Sequence, residues 1–402
     1  MTLLQDAFLE SAARAPERTA LVIGGERIAY GEVARRARRL AATLAERGVR
    51  RGDRVVLLVP NGLAFVVGAY ASLIAGAVFV PLSPFTKTAK VRYILGDAEP
   101  ACLIADADLA AAWLAPAAEA PSLGAVVVAG DLREGPPAAL APKLVSLAAA
   151  LEGDGPALPD PGLIDQDLAA IVYTSGSTGE PKGVMLTHLN MVSASRSIAT
   201  YLGLRADDVI FCAIPLSFDY GLYQILLAFR LGATVVLEPA FAYPVKALEI
   251  MARERVTVFP GVPTMFSMLL ALGSLARYDL ASLRAITNTA AALSARQIRE
   301  LRGLFPRARL FSMYGLTECK RVTFLPPEEL DRRPTSVGRG MPNEEVWLVD
   351  ESGRRLPNGA TGELVIRGSN VMRGYWRKPR ETAAKLRPAP IPGEMLLMSG
   401  DL

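Results

Sequence analysis

The sequence predicts an α/β fold: parallel-rich sheets layered with helices in two subdomains, plus a small β-barrel-like subdomain near the C-terminus. Three observations carry this. Short apolar runs at 55–59, 77–80, 209–213 and 234–237 read as strands buried on both faces. Between them lie stretches with helical spacing, so the rhythm is strand, helix, strand, helix. Past about residue 335 the pattern changes to short strands with Gly and Pro turns, at 345–349, 362–367 and 395–398. Two α/β subdomains over 1–334 and a β-rich one over 335–402 follow, with the Pro- and Gly-rich run 152–162 as candidate linker.

Taken in order, 19–23 reads as a short edge element, and Gly24-Gly25 turns it into Ile28-Ala29-Tyr30. In the next helix Val33, Ala37, Leu40, Ala41 and Leu44 share one face, and Gly48 closes it. Residues 63–80 carry no charge over about 18 positions, the minimum for a membrane span. Gly68 and Gly76 interrupt the run and Pro60 and Pro81 flank it, so it reads as a buried helix, a turn at Gly76 and a buried strand. The stretch 106–161 is rich in Ala and Pro, and only 125–129 looks strongly strand-like. Beyond it, helices are expected over 190–201, 222–231 and 245–255, and strands over 257–259 and 310–312. Ser294 with Gln297 forms a capping box for a helix ending near Leu304.

Bulk properties exclude several function classes. With 402 residues, 51% hydrophobic and 21% charged, the chain can bury more than one core. A net charge of +4, from 44 basic and 40 acidic residues, gives no support for nucleic-acid binding. The arginines near 35–39 read as a solvated helix face. Cys102, Cys212 and Cys319 are too far apart for a CxxC metal site or a disulfide framework, which suits a reducing cytoplasm. The N-terminus lacks the pattern of a signal peptide.

Four stretches carry chemistry. The first is Tyr173-Thr174-Ser175-Gly176-Ser177-Thr178-Gly179-Glu180-Pro181-Lys182-Gly183-Val184, entered by the apolar run 168–172 and left by 184–186. Glycines let backbone N–H groups approach a phosphate, hydroxyls donate further hydrogen bonds and Lys182 supplies charge. A flexible surface loop is the competing reading. It is not the common P-loop, which needs Gly-Lys-Ser/Thr leading into a helix, whereas Pro181 precedes Lys182 and Gly183 follows it. The second stretch is Tyr314-Gly315-Leu316-Thr317-Glu318, at the end of a predicted strand where ligands collect. Tyr314 offers a flat face to a purine, Thr317 a hydroxyl and Glu318 a hard carboxylate for Mg²⁺, although a turn with a surface Glu would look the same. The third is Gly362-Glu363-Leu364-Val365-Ile366-Arg367-Gly368 with Val371-Met372-Arg373-Gly374-Tyr375-Trp376, by itself a strand and a turn. The last is Ser399-Gly400-Asp401-Leu402, where Asp401 can accept bonds from ribose hydroxyls or simply belong to a polar C-terminus.

These four stretches, in this order, resemble the adenylate-forming superfamily of acyl-CoA synthetases, peptide-synthetase adenylation domains and luciferases, over nearly the whole chain. Pro60-Asn61-Gly62 and Gly76-Ala77-Val78-Phe79-Val80-Pro81-Leu82 extend the resemblance. It implies that Thr174, Ser175, Gly176, Ser177, Thr178, Gly179 and Lys182 embrace the ATP phosphates. It further implies that Tyr314, Gly315 and the segment with Asn288, Ala290 and Ala291 hold adenine, that Thr317 meets the α-phosphate, that Glu318 with Thr178 binds Mg²⁺, and that Asp401 grips the ribose. Lys182, Thr317 and Glu318 are then the catalytic set. The implied reaction is attack of a carboxylate on the α-phosphorus with loss of pyrophosphate, so the catalyst neutralises and aligns two anions. The only histidine, His188, lies in the loop motif, which leaves a His-dependent mechanism little support; it reads as packing or capping the next helix.

Two departures qualify the resemblance. The family places a smaller lid domain, with a late lysine, after the segment that ends at Leu402, so the sequence is expected to be a truncated, impaired adenylating core. A binding module without its own turnover is the alternative. CoA or carrier-protein phosphopantetheine would be the acceptor in the full-length protein, a small carboxylic acid the substrate, and a carrier protein a possible partner. The acid segment reads Pro215-Leu216-Ser217-Phe218-Asp219-Tyr220-Gly221. Phe218-Asp219 resembles peptide-synthetase domains, where the Asp pairs with a substrate ammonium. Asp219 as the cap of a helix beginning at Gly221 is the reading placed ahead. The run containing Gly261 looks more like the acyl-CoA ligase branch.

Overall fold

The computed structural model describes residues 2–154, 156, 158–175 and 180–402. Among these residues three sheets form. The eight-stranded sheet runs, edge to edge, through Gly374–Tyr375, Pro181–Thr187, Leu168–Ser175, Val78–Pro81, Arg54–Leu58, Cys102–Asp106, Ala125–Ala129 and Leu144–Ser146. The nine-stranded sheet runs through Arg339–Gly340, Thr323–Leu325, Arg309–Tyr314, Ala285–Asn288, Val258–Gly261, Val209–Cys212, Thr234–Leu237, Thr19–Ile23 and Glu26–Ala29. Both have parallel centres; Glu26–Ala29, Thr323–Leu325, Arg339–Gly340, Pro181–Thr187 and Gly374–Tyr375 pair antiparallel, whereas the edge strand Leu144–Ser146 pairs parallel. Apolar runs need cover on both faces, which is why Val55, Leu57, Phe79, Ile210, Phe211 and Phe259 are fully buried.

The third sheet is an open antiparallel row of Glu344–Val349, Glu363–Gly368, Met395–Met398 and Leu386–Pro388. It does not close into a barrel. Arg339–Gly340 and Gly374–Tyr375, from the same stretch of chain, are spent extending the two large sheets. The 152–162 run, of which 155 and 157 lie outside the described residues, joins two strands of one sheet rather than two units.

The charge-free run at 63–80 forms the helix Leu63–Ile74, a turn with Gly76 at φ +79, and the strand Val78–Pro81. No described helix is long and apolar enough to cross a membrane. The expected helix over 222–231 begins earlier, as Asp219–Leu231, and the helix over 190–201 is His188–Leu202. The Ala-rich stretch after 106 holds a helix, Ala110–Glu119, that the strand-like reading of 125–129 did not include. Ser294 and Gln297 make the expected reciprocal capping box at Ala295–Leu304. The two large sheets are tied at the site end by Asn61. Its Nδ2 donates to Ile214 O at 3.0 Å and Glu238 O at 3.1 Å, and its Oδ1 accepts from Leu216 N at 2.7 Å.

Candidate functional site

The loop motif is an antiparallel hairpin. Leu168–Ser175 enters it, Pro181–Thr187 leaves it, and Thr174 stands opposite Lys182. Residues 176–179 and the side chain of Ser175 lie outside the described residues, so Gly176, Ser177, Thr178 and Gly179 are not placed. The base of the hairpin is tightly built. A Cβ on Gly183 would meet Ile171 at 2.7 Å, the Tyr173 ring at 3.1 Å and Trp376 at 3.3 Å. Tyr173 donates to Asp97 Oδ2 at 2.5 Å, and Trp376 Nε1 to Asp97 O at 3.0 Å. Burial and the Asp97 carboxylate push the Tyr173 phenol well above its ordinary range, so it stays a donor. Lys182 stands over the Tyr375 ring, its Nζ 5.6 Å from the centroid.

Tyr314 ends a central strand of the other large sheet, as the second motif requires. Its hydroxyl donates to the Asp401 carboxylate, so the adenine and ribose candidates touch. Gly315 has no room for a side chain, because a Cβ there would lie 2.7 Å from Arg321 Cα. Asn288 is fully buried and donates to Ala291 O at 2.9 Å, which shapes the turn carrying Ala290 at φ +74. Ala290 and Ala291 are exposed; Asn288 holds that small-residue surface from behind.

Thr174, Ser217, Phe218, Asp219 and Thr317 line one cavity of about 310 Å³. A larger cavity of about 660 Å³, beside Asn190 and Glu344, is lined by Arg367 and Gly368 of the third stretch but by no residue of the hairpin, the Tyr314 motif or the acid segment, so size alone does not locate the chemistry. Gly261 is buried, with a Cβ position only 2.6 Å from the Phe266 ring, and does not line the 310 Å³ cavity.

Asp219 is not the cap that its sequence position suggested. The N-cap residue is Phe218, no side chain caps this helix, and Asp219 is its first residue. Its Oδ2 instead lies 3.1 Å from Lys320 Nζ. Lys320 is 3% exposed, with its ammonium 4.8 Å from the Tyr223 ring centroid. Burial lowers its pKa to about 8, opposed by Asp219 and assisted by neighbouring Arg321. Arg321 is equally buried, lies over the Tyr220 ring at 5.0 Å, and has no carboxylate partner among the described residues. Both residues take positive φ, 28° and 61°. Neither was singled out by motif. The available signal was a Lys-Arg pair set between a predicted buried strand and an apolar Val322.

Glu318 supplies the hard oxygen a Mg²⁺ ion needs. Its Oε1 accepts from Tyr375 OH at 2.7 Å, and its Oε2 has no hydrogen-bond partner among the described residues. No cluster of three or more His, Cys, Asp or Glu able to hold a metal occurs among those residues. One carboxylate with an open oxygen fits a Mg²⁺ bound largely through substrate phosphates. His188 is no catalyst. It is 1% exposed, its Nδ1 accepts from Leu4 N at 3.1 Å, and burial lowers its pKa to about 4; Thr187 and Asn190 do the capping.

Comparison with known proteins gives this arrangement its context. A feruloyl-CoA synthase from Amycolatopsis sp is 35% identical over 97% of this chain and 75% of its own length. Tyrocidine synthase 3 from Brevibacillus parabrevis is 30% identical over 99% of this chain, which spans only 6% of that protein. Among solved structures, the crystal structure of VinN matches with a TM-score of 0.85 and 34% identity, covering 100% of this chain and 95% of that one. VinN is also known in complex with L-aspartate and with 3-methylaspartate. The model of the AMP-binding enzyme family matches residues 8–376. With that match spanning the hairpin, the Tyr314 motif and the Glu318 carboxylate alike, the chain belongs to the AMP-binding enzyme family.

Proposed function

We propose that this chain is the adenylating core of an acid–thiol ligase, joining a carboxylic acid to ATP as an acyl-adenylate with release of pyrophosphate. The observation that carries this is the single cavity onto which Thr174, Asp219 and Thr317 all open. It sets the phosphate hairpin, the acid segment and the second motif around one reacting centre, with Lys182 paired across the hairpin from Thr174 and Glu318 next in sequence to Thr317. In this reading Lys182 neutralises the departing pyrophosphate, Thr317 orients the α-phosphate, Tyr314 and the exposed Ala290–Ala291 surface flank adenine, and Asp401 turns from Tyr314 to the ribose. When bound, Mg²⁺ at Glu318 supplies charge that lets two anions approach. CoA or a carrier-protein phosphopantetheine takes the acyl group in the whole protein. ATP–pyrophosphate exchange with a panel of aryl, fatty and amino acids tests the reading, and exchange with none of them rejects it.

The acid carries an ammonium and a second anionic group. An ammonium that took Asp219 from Lys320 would strand a buried lysine, and leaving one partner of a buried pair alone costs about 3–5 kcal/mol. A substrate bringing its own second carboxylate satisfies both charges at once, and Arg321 adds a further uncompensated positive charge behind them. The VinN complexes with L-aspartate and 3-methylaspartate support this choice. Exchange with L-aspartate or 3-methylaspartate at least tenfold above L-alanine is the expected result. A preference for ferulic acid would favour the aryl branch instead, with the Asp219–Lys320 pair left intact.

A further inference from the structure

The two groups assigned to the triphosphate come from different sheets. Lys182 stands on the exit strand of the hairpin, whereas Glu318 follows the last parallel strand of the nine-stranded sheet. One side chain touches both. Tyr375 lies beneath the Lys182 ammonium and donates from its hydroxyl to Glu318 Oε1. Its own place is fixed from three directions. Tyr375 pairs with Val184 across the edge of the eight-stranded sheet, its N–H donates to Thr382 Oγ1 at 2.9 Å, and Trp376 N donates to Gly183 O at 2.7 Å.

A tyrosine that merely fills a core satisfies its hydroxyl on whatever acceptor is near, usually main chain. Tyr30 donates to Ala228 O and Ala233 O, and Tyr220 to Thr287 O, whereas Tyr173 and Tyr314, beside the site, donate to the Asp97 and Asp401 carboxylates. Tyr375, 4% exposed, instead spends its hydroxyl on a carboxylate that stands partly in solvent and could be hydrated without help.

We propose that Tyr375 is a positioning residue that occupies one oxygen of Glu318, turning the other toward a divalent cation, while its ring holds Lys182 at a fixed offset from that cation. This rests on the adenylation reading, in which metal and lysine meet the same triphosphate. Two measurements on the full chain separate the two ideas. Mn²⁺ affinity is measured by electron paramagnetic resonance with α,β-methylene-ATP bound, and nucleotide affinity by calorimetry with and without EDTA. Wild type that shows no nucleotide-dependent Mn²⁺ binding rejects the adenylation reading itself.

Given such binding, Tyr375→Phe should weaken Mn²⁺ five- to tenfold and leave nucleotide affinity in EDTA within twofold. In a Glu318→Gln background the same change should add less than twofold, because contacting groups are not additive. Tyr375→Leu should also lower nucleotide affinity in EDTA severalfold, since Lys182 loses its ring. Equal Mn²⁺ affinity in Tyr375→Phe and wild type, or an undiminished effect in Glu318→Gln, overturns the proposal. 3-Fluorotyrosine placed at 375 keeps the hydroxyl and the packing. Its ¹⁹F resonance should move when metal is added to the nucleotide complex, and a resonance indifferent to metal overturns the proposal independently of how the variants fold.

Discussion

Lys320 is the residue whose chemistry most constrains the reading of the site. Its ammonium is buried against a carboxylate and two tyrosine rings, and its pKa lies near 8 instead of 10.5. Because the folded value is the lower one, the folded chain resists this charge. That destabilisation is fully present below pH 8 and is relieved as pH rises toward 10.5. The functional consequence has the opposite sense. KM for an amino dicarboxylate should rise between pH 7 and 9 as Lys320 loses its proton, and Lys320→Met should raise KM at pH 7 at least tenfold and flatten the profile. Steady-state kinetics across that range checks both. Thr174, Thr317, Tyr314 and Asp401 were singled out in the sequence because each sits in a contiguous stretch, and the fold brings Thr174 to Thr317 and Tyr314 to Asp401. Lys320 was not, since its meaning comes from Asp219, far away along the chain, and from rings that close over it only in the fold. Asp219 misled for a related reason: a carboxylate at the start of a helix reads as a cap until a buried cation is seen beside it.

At the scale of elements, the hairpin base sets what can change. Gly183→Ala places a methyl against Ile171, Tyr173 and Trp376, none of which is a flexible chain end, so about 1–3 kcal/mol of stability should be lost, read by chemical denaturation. ATP affinity should fall with it, because Lys182 is the adjacent residue. The helix His188–Leu202 gives a pH prediction. His188 titrates near 4 in the folded chain and near 6.5 when unfolded, so the native state gains its advantage above 6.5 and loses it as pH falls toward 4. Melts between pH 4 and 7 should show wild type losing ground to His188→Gln over that window. Strand and helix identities were largely legible, and Ser294 with Gln297 marked a helix start to the residue. The helix Ala110–Glu119 was not, because alanine offers little contrast for a 3.6-residue period and Pro116 reads as a break. Thr88–Ala98 does carry its period, with Val91, Ile94, Leu95 and Ala98 buried along one side.

Over the whole molecule, the class of fold was legible from rhythm alone, but the partition of strands among sheets was not. Pairing between strands remote in sequence is decided by twist and cover, which no local window records. The small sheet contributes Asp401 to a site otherwise built from the two large ones, through its contact with Tyr314. Asp401→Ala should therefore weaken ATP about tenfold in equilibrium binding while leaving inorganic pyrophosphate affinity unchanged, a split expected only if the aspartate reads the nucleoside. The first strand of the chain, Thr19–Ile23, pairs in parallel with Thr234–Leu237, Leu21 beside Val235. Synthesis adds about 5–20 residues per second, so the opening hairpin leaves the ribosome tens of seconds before its neighbour exists. During that interval Ala20, Leu21 and Val22, all buried in the finished sheet, have no native neighbour strand on that side. That apolar edge stays without its native partner during synthesis, for a time set by the speed of translation through the middle of the message.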